Sequence, residues 1–143
     1  MRNFTSVIVL LTVLLAACGG ASPGASGGSA GSGGTAVTVE LSDFKVKPSV
    51  ATAKAGKVDF QIRNTAAMLH ELKVIKTDVD EDKLPIDSAK AMAKEDGKIG
   101  AMENIPAGAL RTLSVDLPAG KYVLICNVAG HYQLGMHVAF KVE

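Results

Sequence analysis

Between residues 36 and 143 apolar and polar residues alternate in a series of short runs, separated by turn-forming residues. Ala36-Val-Thr-Val-Glu-Leu41 alternates and is β-branched, the pattern of a half-buried strand. Phe44 to Ala53 continues extended structure interrupted by Pro48, and Ala55-Gly56 marks a turn. Lys57 to Arg63 places Val58, Phe60 and Ile62 on one face. In Leu69 to Lys76, His70, Leu72 and Val74 share one parity and Glu71 and Lys73 the other. Successive strand side chains point to opposite faces, so His70 is expected to point inward with Leu72 and Val74. Leu110 to Leu117 carries Leu113, Val115 and Leu117 on one face, and Pro118-Ala-Gly120 forms a turn. Tyr122, Leu124 and Cys126 share parity in the next strand, and Val138, Phe140 and Val142 face inward in the last.

The stretch from Asp78 to Gly108 is less regular. Asp87 to Gly97 predicts a short helix, with Asp87 or Ser88 as its N-cap and Gly97 near its C-terminus. About eight short strands and one short helix predict an all-β fold, an antiparallel sandwich of two sheets with Greek-key connections. No internal repeat and no second folding unit is visible.

The first residues follow a different pattern. Met1-Arg2-Asn3 is a short basic start, Phe4 to Leu15 is an apolar run too short to span a bilayer comfortably, and Leu15-Ala-Ala-Cys18 supplies small residues before a cysteine. Residues 1–17 therefore read as a secretory signal. The Leu-Ala-Ala-Cys segment resembles the bacterial lipoprotein box, which implies that Cys18 becomes the lipidated N-terminus. An ordinary signal peptide cut elsewhere, or an uncleaved anchor, is the alternative. Gly19 to Thr35 is almost wholly Gly, Ser and Ala. It cannot bury a core, and as a flexible tether it spans roughly 20–25 Å. Residues 18–35 are thus read as lipidated cysteine plus tether, and 36–143 as one folded domain.

Charge removes one class of partner. Without residues 1–17 the chain loses Arg2 and carries 14 basic against 14 acidic side chains, with no basic stripe for nucleic acid. Asp78, Asp80, Glu81 and Asp82 read as a solvated loop. Cysteine use is more informative. With Cys18 assigned to processing, Cys126 is a lone thiol in an exported, oxidising setting, where an unpaired thiol is a liability that a metal bond would remove.

Cys126 opens the segment Cys-Asn-Val-Ala-Gly-His-Tyr-Gln-Leu-Gly-Met, which places His131 and Met136 at successive five-residue steps. With inward-pointing His70 this makes two imidazoles, one thiolate and one thioether, the ligand set of a blue-copper electron-transfer centre. The loop joins two strands, and Gly130 and Gly135 give its backbone the freedom to fold tightly. Taken singly, each residue has a blander reading: Cys126 as an inert buried thiol, His70 as a satisfied core histidine, Met136 as packing. His137 has the outward parity of its strand and is expected to face solvent.

The stretch Tyr122 to Met136 resembles the cupredoxin signature of plastocyanin, azurin, rusticyanin and auracyanin. Its Cys–His and His–Met gaps are more similar to those of rusticyanin and auracyanin than to plastocyanin, whose Cys–His gap is shorter. The lipoprotein box and tether before a single domain also resemble auracyanins. The resemblance is specific around Leu69–Val74 and Tyr122–Phe140. It implies a β-sandwich holding one copper ion through His70, Cys126, His131 and Met136. In one respect the chain departs from the family: many members place Asn directly after the first ligand His, where this chain has Glu71, while Asn127 follows Cys126.

The expected function is one-electron transfer without substrate chemistry, through His131 and an apolar rim of Val128, Ala129 and Leu134. Partners are expected to be redox proteins and a membrane reached through the lipid anchor, with the domain itself a monomer, exported to the periplasmic or extracellular side. The alternative is a copper-handling lipoprotein for storage or delivery with the same ligands; five Met without a Met-rich run favour the carrier. A copper oxidase or nitrite reductase needs further copper sites, which three His in one domain do not supply. A metal-free interaction lipoprotein would make the ligand spacing a coincidence.

Overall fold

The computed structural model describes residues 34–143. The signal, Cys18 and nearly all of the tether lie outside the described residues. The strands are β1 (Thr35–Ser42), β2 (Lys45–Pro48), β3 (Thr52–Ala53), β4 (Gly56–Asn64), β5 (His70–Lys76), β6 (Ile86–Asp87), β7 (Met92–Ala93), β8 (Lys98–Ile105), β9 (Leu110–Leu117), β10 (Gly120–Ile125) and β11 (His137–Val142). They form a four-stranded sheet in the order β2-β1-β4-β9, a five-stranded sheet in the order β3-β11-β10-β5-β8, and a small ribbon of β6 and β7. The all-β sandwich expected from the alternation is therefore present.

Two details of that expectation need correction. The sheets are mixed, not purely antiparallel: β1 runs parallel to β4, and β11 parallel to β3. The β1–β2 hairpin followed by a crossing to the other sheet returns β4 to the side of β1 in the same direction. Nor is there a helix over Asp87–Gly97. Ile86 pairs with Ala93 and Asp87 with Met92 across a tight turn, in which Ala91 takes a positive φ of 53°. Asp87 caps that turn, its Oδ1 accepting from Ala89 N at 3.1 Å. The polar, Ala-rich run has too little apolar surface to hold a helix against the domain, and its backbone pairs elsewhere.

The core forms between the sheets. Val37, Val39, Leu41, Val58, Phe60 and Ile62 from one sheet meet Leu72, Val74, Tyr122, Leu124, Phe140 and Val142 from the other, with Phe60 and Phe140 packed edge to face. Burying each such side chain contributes about 1.5–3 kcal/mol. A second, smaller cluster lies on the outer face of the five-stranded sheet, where Ile75, Val123 and Ile125 pack with Leu84, Ala93 and Tyr132. It is created by the segment between β5 and β8, which folds back as a clasp. For that reason β5 is buried on both faces from His70 to Ile75. Gly97 closes the clasp: its carbonyl accepts from Lys76 N at 2.9 Å, and a Cβ there would run into the Lys76 carbonyl.

Candidate metal centre

Cys126 follows the last residue of β10 and Met136 precedes β11, and their backbones still pair, Cys126 N donating to Met136 O at 3.0 Å. The nine residues between them form a closed turn. His131 N donates to Val128 O at 2.9 Å, Met136 N to His131 O at 3.1 Å and Gly135 N to Tyr132 O at 3.0 Å. Gly130 and Gly135 both take positive φ, 84° and 95°, and a Cβ at either would meet nothing within 4 Å. Their role is conformational, as the sequence suggested. His70 begins β5 and points inward. Asn64, fully buried, sets the approach to it: its side chain donates to Met68 O at 2.8 Å and Ile105 O at 2.9 Å and accepts from Ala66 N at 3.0 Å.

These elements bring His70, Cys126 and His131 together. The two Nδ1 atoms lie 3.2 Å apart, and Cys126 Sγ lies 3.6 Å from that of His70 and 3.4 Å from that of His131. A point equidistant from the three is about 2 Å from each, the length of a bond from a first-row metal to nitrogen. His70 and Cys126 are inaccessible to solvent and His131 is 9% exposed. Met136, also inaccessible, belongs to the same core cluster as Cys126.

The electrostatics favour ligation. Burial lowers the pKa of both imidazoles, for His70 aided by His131 and opposed by Asp43, so both present lone pairs. Burial pushes the Cys126 thiol up, against hydrogen bonds from the backbone N–H groups of Val128 and Glu71; the Glu71 N–H lies 3.4 Å from the sulfur. A cation at the centre removes the cost of an ionised sulfur in this interior. One thiolate and two imidazoles suit a soft or borderline transition metal.

Phe44 and Tyr132 carried no signal in the sequence, whereas Asn127 was marked only by its place after Cys126. Phe44, at φ 52°, sets its ring edge-on to His131 with centroids 5.4 Å apart. Asn127 pairs in both directions with Ala93, accepting from its N–H at 2.8 Å and donating to its carbonyl at 2.9 Å. Tyr132 holds the same clasp, its hydroxyl accepting from Leu84 N and donating to Glu81 O, both at 2.8 Å. Asn127, Tyr132 and Gly130, whose N–H donates to Ala91 O at 2.7 Å, thus tie the metal loop to the clasp, and the Glu71 N–H reaches the Cys126 sulfur from β5. His137 differs from the expectation of a solvent-facing side chain. It is half-buried, its ring lies 4.9 Å from that of Tyr132, and its Nδ1 is buried without a partner.

No family model and no curated protein matches the chain. Solved structures do. A dithionite-reduced auracyanin from Roseiflexus castenholzii aligns at 21% identity with a TM-score of 0.59, covering 78% of this chain and 99% of that one. Auracyanin A from Chloroflexus aurantiacus, described as a blue copper protein, aligns at 20% identity and a TM-score of 0.52, covering 76% and 99%. A reduced rusticyanin aligns at 18% identity and a TM-score of 0.55, covering 78% and 81%. The chain shares the fold of these proteins.

Proposed function

We propose that this chain is a one-electron carrier in which a single type 1 copper ion would be held by His70 Nδ1, Cys126 Sγ and His131 Nδ1, with the buried Met136 as a further, weaker sulfur donor. The observation that carries the reading is the convergence of those three atoms on one buried point, in a fold shared with auracyanins and rusticyanins. When bound, copper supplies a Cu(I)/Cu(II) couple that needs little rearrangement in a compromise geometry. The protein's part is to hold the donors before the ion arrives and to keep water away. The enclosure of His70 and Cys126 favours slow exchange, which suits a carrier better than a delivery protein.

Electrons leave through His131, the ligand with some exposure. Around its loop Leu134 is 60% exposed, Ala129 is exposed and Val128 half-buried. Met68 and Leu69, just before His70, are also exposed. This rim suits brief docking of a redox protein. Formal neutrality of the processed chain implies weak long-range steering. Leu134→Lys should therefore slow transfer more than Lys94→Glu on the clasp, and wild-type rates should change little with ionic strength. A steep salt dependence in stopped-flow rates would place the docking face elsewhere. The domain acts as a monomer held to the outer side of a membrane by lipid on Cys18. Cys18→Ala should release it from the membrane fraction with an unchanged copper spectrum, whereas release of the wild type by salt alone would argue for peripheral attachment.

The central test is addition of Cu(II) to the purified protein. Intense colour from thiolate-to-copper charge transfer is expected, with a type 1 electron paramagnetic resonance signal. Cys126→Ser, nearly isosteric, should lose both while remaining folded. A colourless wild type, or an unchanged Cys126→Ser spectrum, rejects the assignment.

A further inference from the structure

Behind the metal loop lies a cluster of charge that the proposed electron transfer does not itself use. Lys73, on the outer face of β5, is 4% exposed. Its Nζ lies 2.5 Å from Glu95 Oε1, 3.2 Å from Glu103 Oε1 and 3.4 Å from Glu71 Oε1. The cluster is directional. Glu95 Oε1 also accepts from Asn127 Nδ2 at 2.9 Å, and Asn127 is covalently next to Cys126. Glu103 is half exposed, and its side chain pairs with Lys73. Glu71 Oε1 is buried and makes no hydrogen bond.

Burial works against the charge of Lys73, but hydrogen bonding to Glu95 and attraction to Glu71 hold its pKa above the ordinary value. Burial likewise opposes ionisation of Glu95, yet hydrogen bonds from Lys73, Lys98 and Asn127 bring it down to about 2. Both groups are therefore charged at neutral pH. A buried ion pair of this kind adds little net stability, because desolvation offsets the attraction. Its consequence is geometric. Lys73 Nζ and the Asn127 amide both donate to Glu95 Oε1, while Lys98 Nζ holds Oε2 at 2.5 Å, so the carboxylate is fixed from both sides and the amide meets an oxygen of defined position. The amide is oriented in turn, so that its oxygen meets Ala93 N–H and its nitrogen meets Ala93 O. Lys73 thus reaches the residue that bears the sulfur through two side chains, without touching the sulfur itself.

We propose that Lys73 is a positioning residue for the Cys126 sulfur, acting through Glu95 and Asn127 to keep the metal loop closed against the clasp. The inference builds on the proposed metal site, but the closed loop is a property of the protein alone. It is read in metal-free protein, by the rate at which an aromatic disulfide reagent attacks Cys126. That sulfur is inaccessible in the closed loop, so the rate reports local opening.

Lys73→Met keeps an unbranched apolar stem and removes the ammonium. It should raise the thiol rate roughly ten-fold or more, the scale expected when a buried charge-assisted contact is lost. Asn127→Ala should do the same. The double variant should open no faster than the faster single one, since both changes cut one chain of contacts. Glu103→Gln, which touches Lys73 away from that chain, should leave the rate near wild type. Leu117→Ala, a core truncation in the other sheet, lowers stability without touching the relay and should raise the rate only as far as its global unfolding does. An unchanged rate in Lys73→Met, or acceleration in the double variant equal to the product of the two singles, overturns the proposal. Failure of the wild type to colour with Cu(II) rejects the metal reading and leaves the thiol comparison standing.

Discussion

Strand β5 divides two interiors of different chemistry. On its inner face His70, Leu72 and Val74 meet the apolar core between the sheets. On its outer face Glu71, Lys73 and Ile75 are buried too, beneath the clasp, and there the packing is a small apolar cluster beside a group of paired charges. The inner face supplies stability in proportion to apolar area removed from water. The outer face supplies little of that kind, because charges taken from water recover their hydration only through well-placed partners. It supplies direction instead: Glu95 and Asn127 bind the clasp and the metal loop at defined atoms. The candidate metal site therefore rests on a core for its rigidity and on a polar network for its alignment.

The contrast is tested most severely by truncating each face. Leu72→Ala should cost about 2–5 kcal/mol, the lost transfer energy plus the cavity left behind. Asn127→Ala, which strands the buried N–H and carbonyl of Ala93, should cost about 1–3 kcal/mol. Urea unfolding measures both. A larger loss from Asn127→Ala would make the clasp part of the main cooperative core and erase the difference between the two faces. Met136→Leu sharpens it from the inner side. The swap nearly conserves volume and should cost less than about 1.5 kcal/mol, while removal of the thioether should raise the reduction potential of the copper form. Small loss of stability with an unchanged potential would assign Met136 to packing alone.

Acid separates the faces more gently. Glu95 titrates near 2 in the folded protein, below its ordinary 4.5. The stability it contributes is therefore full above about pH 4.5 and disappears as pH falls toward 2. Glu95→Gln should be less stable than wild type at pH 6, with the gap closing as pH approaches 2. The gap for Leu72→Ala should stay nearly constant over the same window, since no titrating group is removed. Unfolding midpoints across pH provide the measurement, and a pH-independent gap for Glu95→Gln would show that its carboxylate gains nothing from its partners.

Much of this molecule was legible along the chain. Alternation identified β1, β4, β5, β9, β10 and β11 and the inward parity of His70, Leu72 and Val74, because a strand reports its facing every second residue. It did not identify β8, whose Lys98–Ile105 lies in the stretch that reads as irregular. The spacing from Cys126 to Met136 identified a loop that the structure closes, with Gly130 and Gly135 at the positive φ that L side chains avoid. Asp87 to Gly97 predicts a helix that the structure does not form, because Asp, Ser, Ala, Lys and Gly in that order satisfy the local rules for a capped helix. Those rules carry no information about what a segment packs against.

What the sequence by itself determined is most of the long strands, the inner faces that make the core, and a candidate group of ligands at fixed intervals. Each follows from local geometry: the two-residue period of a strand, the conformational freedom of glycine, the chemistry of sulfur and imidazole. The tertiary structure alone decided that two strand pairings are parallel, that β5 is buried on both faces, that the Asn127 side chain ties the loop to the clasp, and that Lys73 lies among three carboxylates. Glu95 is 22 residues from Lys73 and 32 from Asn127 along the chain. No periodicity links positions so far apart; only chain reversal and the burial of a shared face bring their charges within reach of one another.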